Sequence, residues 1–275
     1  EDAIRTLDED RSDGAAMFSD TKTRVVIYPK VAVGARVTSK VLFKTHTPLF
    51  AGQFSSKTIF SPAIEYGQAE ILLSHDPRIR ILVDSKEVQG GRIEDRPDGS
   101  IQYRYQFTQP KIRPTEPAQV SVWDFAPFVH FSTFENHLAV GRMFEELAAP
   151  KSAVTPAVQA LADQITQGIT DPKQQARALY NWVTKEIRYV AIYLGNGGVV
   201  PHDADWLIHN RYGDCKDHNA LLIALLAAKG IKASSALINS GEAHQLHKLG
   251  AVSPFNHVIT YIPQWDLYLD STAEL

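Results

Sequence analysis

The chain has 275 residues, enough for two domains or for one large domain with an ample core. Apolar residues make up 44% of it and charged residues 21%, which is typical of a globular protein. The 28 Lys and Arg nearly balance the 31 Asp and Glu, so the composition argues against nucleic acid as a partner. No apolar run approaches the roughly 20 residues of a membrane-spanning helix, so we expect no integral membrane segment. The single cysteine excludes an intramolecular disulfide and a multi-cysteine zinc site.

The two ends of the chain suggest processing. It opens at Glu1 with neither Met nor an apolar leader, and it stops at Leu275 shortly after a strand-like run. We therefore expect a trimmed chain whose last domain is truncated. Residues 1–20 are predicted to be a solvated acidic tail, because their first 13 residues hold six acids against two arginines.

Residues 21–140 are predicted to form an antiparallel β-sandwich, because short runs of Val, Ile, Tyr and Phe recur between turn residues. The clearest strand is Ile101–Phe107, in which apolar and polar residues alternate. It follows the turn Arg96–Gly99, and its predicted partner strands are Ala69–Leu73 and Ile79–Val83. No cluster of chemically active residues stands out here, so we interpret this half as a binding or scaffolding module that presents substrate or docks a partner.

Residues 141–275 are predicted to be helical first and stranded later, an α+β order rather than alternating β–α–β. Thr155 and Asp171, each followed by proline, are predicted helix N-caps. A third helix is predicted to begin at Cys215, with Asp214 as its N-cap, and to run to about residue 228. The strands predicted to follow are Ile231–Asn239, Asn256–Ile262 and Trp265–Asp270, with the last two forming a hairpin.

Cys215 occupies a position where a helix can activate a thiol. The N–H groups of a first turn and the positive end of the helix dipole stabilise a thiolate and lower its pKa. Lys216 is expected to add to this effect, whereas Asp214 and Asp217 oppose it. The alternative is structural, because a free cysteine is commonly a small buried apolar residue.

His257 and Asp270 lie on successive predicted strands. If the hairpin loop is centred between Pro263 and Gln264, paired residue numbers sum to 527, and His257 lies directly opposite Asp270. The two side chains would then share a face with Cβ atoms roughly 5 Å apart. The carboxylate could hold one imidazole nitrogen while the other faces the Cys215 thiolate, which supplies a nucleophile, a base and an orienting group. A slip of one residue would turn Asp270 to the opposite face.

These motifs resemble those of bacterial transglutaminase-like proteins, in the papain-like cysteine-enzyme superfamily. The resemblance covers about residues 150–275 and rests on Tyr212–Asp217 with the apolar helix after it, Phe255–Ile259 and Leu269–Thr272. It implies that Cys215 is the nucleophile, His257 the general base and Asp270 the orienting carboxylate. It also implies acyl transfer through a thioester, from a glutamine side chain or a peptide bond to an amine or water. The β-rich half resembles a domain of unknown function that often precedes such cores in bacterial secreted or envelope proteins, which implies a periplasmic or secreted location.

The oxyanion hole is predicted less completely. The backbone N–H of Cys215 is the expected first donor, since N–H groups at a helix start have no partner within the helix. A second donor is expected from the loop upstream, where Tyr193, Asn196 and Trp206 are the candidates and Tyr193 is preferred. Packing at the core or rim is the alternative for each of the three.

A metal site is the competing interpretation for the histidine-rich stretch before the helix. No zinc-binding or EF-hand spacing is present, so we predict neither a functional metal nor any other cofactor. His244 and His247, three residues apart, are a second weak candidate. The acidic and imidazole residues that cluster within 17 positions are His202, Asp203, His209, Asp214 and His218.

Two functions fit these observations. The first is a cysteine enzyme, a peptidase, amidase or transglutaminase, acting on a protein or peptide substrate. The second is a non-catalytic binding or scaffold protein of the bacterial envelope that keeps a vestigial triad. The presence of all three triad residues favours the enzyme, because the loss of any one would abolish the mechanism. The choice between hydrolysis and transamidation depends on loop shape, which the sequence does not give.

Overall fold

The computed structural model describes residues 5–10, 17–19, 22–93, 96–114, 116, 118–193 and 198–272. Within these ranges the strands are β1 (Arg5–Asp10), β2 (Met17–Ser19), β3 (Lys22–Ile27), β4 (Ser55–Ile59), β5 (Tyr66–His75), β6 (Leu82–Lys86), β7 (Gln89–Ile93), β8 (Ile101–Gln109), β9 (Phe128–Ser132), β10 (Arg188–Tyr189), β11 (Ala191–Tyr193), β12 (Tyr212–Gly213), β13 (Ser234–Ile238), β14 (His257–Ile262) and β15 (Leu267–Leu269). The helices are α1 (Val122–Phe125), α2 (His137–Ala148), α3 (Pro156–Ile165), α4 (Pro172–Glu186), α5 (Ala204–Asn210) and α6 (Cys215–Ala228). The predicted α+β class is confirmed.

The chain divides into two compact units that interleave along the sequence. The helical unit comprises Glu1–Leu49, Glu146–Ser235 and Ile259–Leu275, and the sandwich unit comprises Phe50–Glu145 and Ala236–Val258. The predicted domains are contiguous, and their boundaries after residues 20 and 140 stay predictions. In the part of the chain that the structure describes, no helix is long and apolar enough to cross a membrane.

The sandwich unit contains two antiparallel three-stranded sheets, ordered β4-β9-β6 and β5-β8-β7. The alternation predicted for β8 is confirmed from Arg104 to Phe107, where Tyr105 and Phe107 are buried while Arg104 and Gln106 are exposed, and it is wrong at Gln102, which is buried. Both sheets contribute to one apolar cluster, because side chains at alternate strand positions share a face. The buried members of this cluster are Phe60, Tyr105, Phe107, Val129 and Phe131.

One of the two strands predicted to flank β8 is correct and the other is wrong. Strand β5 pairs with β8 along Ala69–Leu73 as predicted. The second partner is β7 instead of Ile79–Val83, whose strand part belongs to β6 and pairs with β9. Strand β7 contains two glycines, so its sequence lacks the β-branched and aromatic residues that indicate a strand. Gly90 is nonetheless required there, because its φ is 131° and a Cβ would collide with the backbone of β8.

The helical unit follows its local capping signals. Thr155 and Asp171 cap α3 and α4 as predicted, by accepting bonds from the N–H groups three residues further on. Helix α6 begins at Cys215, also as predicted, and packs against the other helices. The fully buried core of the helical unit includes Val158, Leu179, Val183, Leu207, Leu221, Leu222, Leu225 and Ile262.

Part of the segment predicted to be an acidic tail is a paired strand. Strand β1 runs antiparallel to β3, with Asp8 opposite Arg24 and Asp10 opposite Lys22. The prediction of an unpaired tail is therefore wrong for residues 5–10, because their backbone pairs with a strand further along the chain.

The register predicted for the β14–β15 hairpin is wrong by two. The observed pairs run from Thr260 opposite Leu269 to Ile262 opposite Leu267, so paired residue numbers sum to 529. The loop has four residues, a 3₁₀ turn over Pro263–Trp265 and then Asp266 in the left-handed region at φ 47°. Asp270 directly follows the last residue of β15 and lies outside this ladder, so its predicted place beside His257 stays a prediction.

His130 on β9 is a fully buried imidazole. Burial, with smaller contributions from the charges of Lys57, His247 and His137, lowers its pKa from 6.5 to about 4. The unfolded chain therefore binds a proton that the folded chain excludes between these two pH values. This linkage stabilises the fold fully above pH 6.5, and the contribution is lost as the pH falls toward 4.

We predict that the free energy of unfolding falls on acidification by on the order of 3 kcal/mol more in the wild type than in His130→Gln. The glutamine keeps a hydrogen-bonding group near Ser55, whose Oγ lies 3.2 Å from His130 Nε2. Denaturant unfolding at pH 7 and pH 4 measures the difference. The control is the exposed His46→Gln, which should follow the wild type; equal acid sensitivity in all three proteins would contradict the assignment.

Candidate active site

Two short parallel strands lead the chain into α6. Strand β12 pairs with β10, and the N–H of Val190 donates to the carbonyl of Gly213 at 2.8 Å. A Cβ on Gly213 would lie 2.5 Å from the Asp217 Cβ, closer than side-chain carbons approach. Only glycine therefore lets the strand pass this close to the first turn of the helix.

A capping box holds the start of α6. The Asp214 carboxylate accepts from the N–H of Lys216 at 3.2 Å, and the Asp217 carboxylate accepts from the N–H of Asp214 at 3.1 Å. The Lys216 ammonium forms an ion pair with Asp214. All three side chains are buried. These three residues, which were predicted to modulate the pKa of the Cys215 thiol, thus interact with one another and with the backbone at the helix start.

His202 extends this network, and the sequence interpretation gave it no such role. The backbone N–H of His202 donates to Asp217 Oδ1 at 2.8 Å, and the imidazole Nδ1 of His202 lies 3.2 Å from the same oxygen. The imidazole stacks on Trp206 with ring centroids 4.0 Å apart, and Trp206 meets Tyr212 edge-on. Trp206 packs between these two rings, and its candidacy as an oxyanion donor stays a prediction.

Cys215 differs from its neighbours in accessibility. From Gly213 to Leu222 every residue except Cys215 is buried, whereas Cys215 is half-buried. Reactive cysteines are partly accessible and lie at helix starts, whereas structural ones are enclosed in apolar surroundings. The position of Cys215 thus matches the reactive class better than the buried apolar one.

The Asp270 turn is held against the first turns of α6. Asp270 Oδ1 accepts from the N–H and the hydroxyl of Thr272, at 3.0 and 2.7 Å, which closes an Asx turn. The Tyr180 hydroxyl donates to the Asp270 carbonyl at 3.0 Å. His218, three residues after Cys215, contacts the Ser271 carbonyl through Nδ1 at 2.9 Å. These contacts join the turn that carries Asp270 to α6, the helix that begins at Cys215. Two of the three predicted catalytic residues thus lie on elements that contact each other.

His218 is a neutral donor in this arrangement. Burial lowers its pKa, although the hydrogen bond to Ser271 and the charges of Asp217, Asp214 and Asp270 oppose the shift. Because a carbonyl only accepts, we assign the ring proton to Nδ1. Its partner, the Ser271 carbonyl, lies on a distant turn and was not predictable from the sequence.

Strand β14 is fixed to α6 within the helical unit. The Thr260 hydroxyl donates to Asn219 Oδ1 at 2.9 Å, and Asn219 Nδ2 donates to the Ser235 hydroxyl at 2.8 Å. His257 is the first residue of β14, is half-buried, and belongs to the sandwich unit. Its role as general base stays a prediction.

The remaining predictions concern the second oxyanion donor and a metal site. The backbone of Tyr193 ends β11, which pairs with β2, but its side chain and all of Asn196 lie outside the described residues. The second oxyanion donor therefore stays a prediction. Among the residues that the structure describes, no group of three or more His, Cys, Asp or Glu side chains is arranged to hold a metal ion.

Comparisons with known proteins agree with the resemblance drawn from the motifs. Residues 159–245 match the family model of the transglutaminase-like superfamily core. Residues 1–129 match DUF3857, a domain of unknown function with a solved structure. No curated protein matches the chain.

The chain is also similar to solved structures. A candidate protease from Parabacteroides distasonis aligns with a TM-score of 0.64 and 13% identity, over 82% of this chain and 44% of that one. At this identity the likeness shows the fold alone, and this chain spans less than half of that protein. Two others are a candidate cysteine protease from Cytophaga hutchinsonii (TM-score 0.35, 14% identity, 80% of this chain and 78% of that one) and the periplasmic domain of TgpA from Pseudomonas aeruginosa (0.31, 17%, 98% and 81%). Their low TM-scores carry no argument.

We predict that Gly213→Ala destabilises the protein by at least about 2 kcal/mol, because the new Cβ displaces Asp217 from the capping box. The matched control is Gly141→Ala in α2, where a Cβ meets nothing within 4 Å. Because alanine has a higher helix propensity than glycine, this variant should be more stable than the wild type by about 0.5–1 kcal/mol. Chemical denaturation measures both variants. A Gly213→Ala protein as stable as the wild type would show that the helix start tolerates displacement of Asp217.

Proposed function

We propose that this chain, whose residues 159–245 form a transglutaminase-like core, is a cysteine enzyme that transfers acyl groups of a protein or peptide substrate through a thioester on Cys215. The observation that carries the proposal is the partly accessible thiol at the first residue of a helix whose next seven residues are buried. A thiol kept only for packing would gain nothing from this exposure. The N–H groups and dipole of the helix start favour the thiolate.

In the proposed reaction, His257 takes the Cys215 proton and the thiolate attacks the carbonyl carbon of a glutamine side chain or a peptide bond. A C–S bond forms and the carbonyl π-bond opens to an oxyanion, which the backbone N–H of Cys215 stabilises. Collapse of this intermediate breaks the C–N bond, and His257 returns the proton to the departing ammonia or amine. Water or a second amine then attacks the thioester and releases Cys215.

Asp270 orients His257 in this scheme. What supports the role is the constraint on its turn, which Tyr180 and His218 hold from two different helices. A carboxylate on a fixed turn can keep an imidazole in one tautomer and stabilise it when it becomes charged. The choice between hydrolysis and transamidation, and a periplasmic or secreted location, belong to the same proposal and rest on the motif resemblance.

We predict that native Cys215 reacts with iodoacetamide with an apparent pKa well below the ordinary 8.5 of a thiol. Intact-mass spectrometry after brief exposure between pH 5 and 9 gives the rate at each pH. His257→Ala should move the midpoint upward, because a thiolate loses its imidazolium partner. Asp270→Asn should move it less, because the imidazole remains.

His209→Ala is the control, since this histidine lies at the end of α5 and has no part in the proposed mechanism. Its profile should match that of the wild type. A thiol that stays inert at every pH until the protein unfolds would refute catalysis and favour the scaffold alternative. A low pKa that is unchanged in His257→Ala would instead reject His257 as the base.

A further inference from the structure

The sandwich unit contains a second concentration of ionisable groups, unrelated to the proposed thiol chemistry. Five side-chain nitrogens are enclosed there without a hydrogen-bond partner among the described residues. Buried polar groups are nearly always paired, because leaving one unpaired is costly. One of the five, His75 Nε2, lies on β5 in the other sheet. The remaining four call for an explanation, and they are Lys57 Nζ, Trp123 Nε1, His130 Nδ1 and His137 Nε2.

Strand register brings the charged members into one row. Lys57 on β4 lies directly opposite His130 on β9, and His130 lies directly opposite Asp84 on β6. Residues opposite one another in an antiparallel sheet share a face, so all three project from the side that also carries Phe128. The other side of β9 faces the apolar cluster of the sandwich, through Val129 and Phe131.

Helix α1 and the segment after β13 cover this row. Lys57 Nζ lies 3.9 Å from the centre of the Trp123 ring and 4.3 Å from that of Phe128. His247 Nε2 lies 2.7 Å from the Trp123 carbonyl, and its ring packs edge-on against Phe128. Asp124 fixes the same segment by accepting from the N–H groups of His244 and Gln245. Aromatic rings thus cover the Lys57 ammonium, and Asp84 is the carboxylate within the row.

The donors of this row lack a direct acceptor among the described residues. Among the described residues no ion pair joins Lys57 to a carboxylate, although Asp84 and Asp124 act on it through space. Asp124 is occupied by two backbone N–H groups. Ser55 Oγ contacts His130 at Nε2, which leaves Nδ1 as the nitrogen without a partner. We assign the His130 proton to Nδ1, with the Ser55 hydroxyl donating to Nε2, so an ammonium, an indole N–H and an imidazole N–H each lack an acceptor in the described part of the chain.

We propose that Lys57, Trp123 and His130 together bind one small anion inside the sandwich unit. The ligand has few atoms, such as chloride, a small carboxylate or phosphate, because the donor nitrogens are enclosed and a peptide could not reach them. Hydrogen bonds from charged donors to an anion are roughly twice as strong as neutral ones, which suits this donor set. His137 flanks the site and adds positive charge when protonated.

The electrostatics agree with this assignment. Burial lowers the pKa of Lys57 to about 8, and the histidines of the cluster have lowered pKa values as well. In each histidine, neighbouring positive groups add to the lowering. A bound anion would reverse these effects, and it would raise the pKa of Lys57 above 8. Binding of an anion can therefore be detected as a rise in the pKa of Lys57.

The test uses the whole chain and three probes, sodium chloride, sodium acetate and sodium phosphate, at pH 7. Ionic strength is held constant with sodium HEPES, whose anion is too large for an enclosed site. We expect at least one probe to raise the melting temperature saturably. The same probe should raise the Lys57 pKa measured from its Cε and Nζ resonances by nuclear magnetic resonance. The probe that works distinguishes a halide site from a carboxylate or phosphate site.

Three variants make the result specific. Lys57→Met keeps the apolar stem and should weaken binding at least about tenfold, while Trp123→Phe keeps a ring beneath Lys57 and should weaken it about threefold to tenfold. The exposed Lys111→Met is the control and should bind as the wild type does. If Lys57→Met fails to fold, Trp123→Phe decides. No response to any probe, or equal responses in the wild type and the folded donor variants, would overturn the proposal.

Discussion

The capping box at the start of α6 is the interaction on which the helical unit depends. Asp214 and Asp217 accept bonds from the first turn, and Lys216 neutralises one of them inside the protein. Removing one partner of a buried charged set typically costs about 3–5 kcal/mol, because an uncompensated charge is left behind. Gly213 makes the arrangement possible by letting the preceding strand approach Asp217. Cys215 is the one residue of this compact start that remains partly accessible.

The elements around the helix start are fixed by hydrogen bonds between residues far apart in the sequence. His202 ties the loop before α5 to Asp217, His218 ties the Asp270 turn to α6, and Asn219 ties β14 to the same helix. Each bond joins a buried polar group on α6 to one loop or strand. A helix that is mostly apolar therefore uses three polar positions to orient the chain around its N-terminal end. The sandwich unit buries polar groups differently, in a cross-strand row covered by aromatic rings.

Local signals in the sequence predicted α3, α4 and α6, since an N-cap and its helix are close along the chain. The alternation that predicted β8 is local too. The hairpin register was missed because a 3₁₀ turn followed by Asp266 in the left-handed conformation lengthens the loop from the predicted two residues to four. His202 was missed because its partner, Asp217, lies 15 residues away on another element. The pairing of Lys57 with His130 spans two strands far apart in sequence, so no local pattern could reveal it.

The central claim is that Cys215 forms a thioester, and it can be measured directly with p-nitrophenyl acetate as the acyl donor. Rapid acid quench and intact-mass spectrometry at pH 6.5 give the rate of acetylation of Cys215 in the native protein and in guanidinium. The account predicts that the native thiol is acetylated faster than the unfolded one and that the adduct then decays as the enzyme turns over. A native rate equal to or below the unfolded rate would contradict an activated nucleophile.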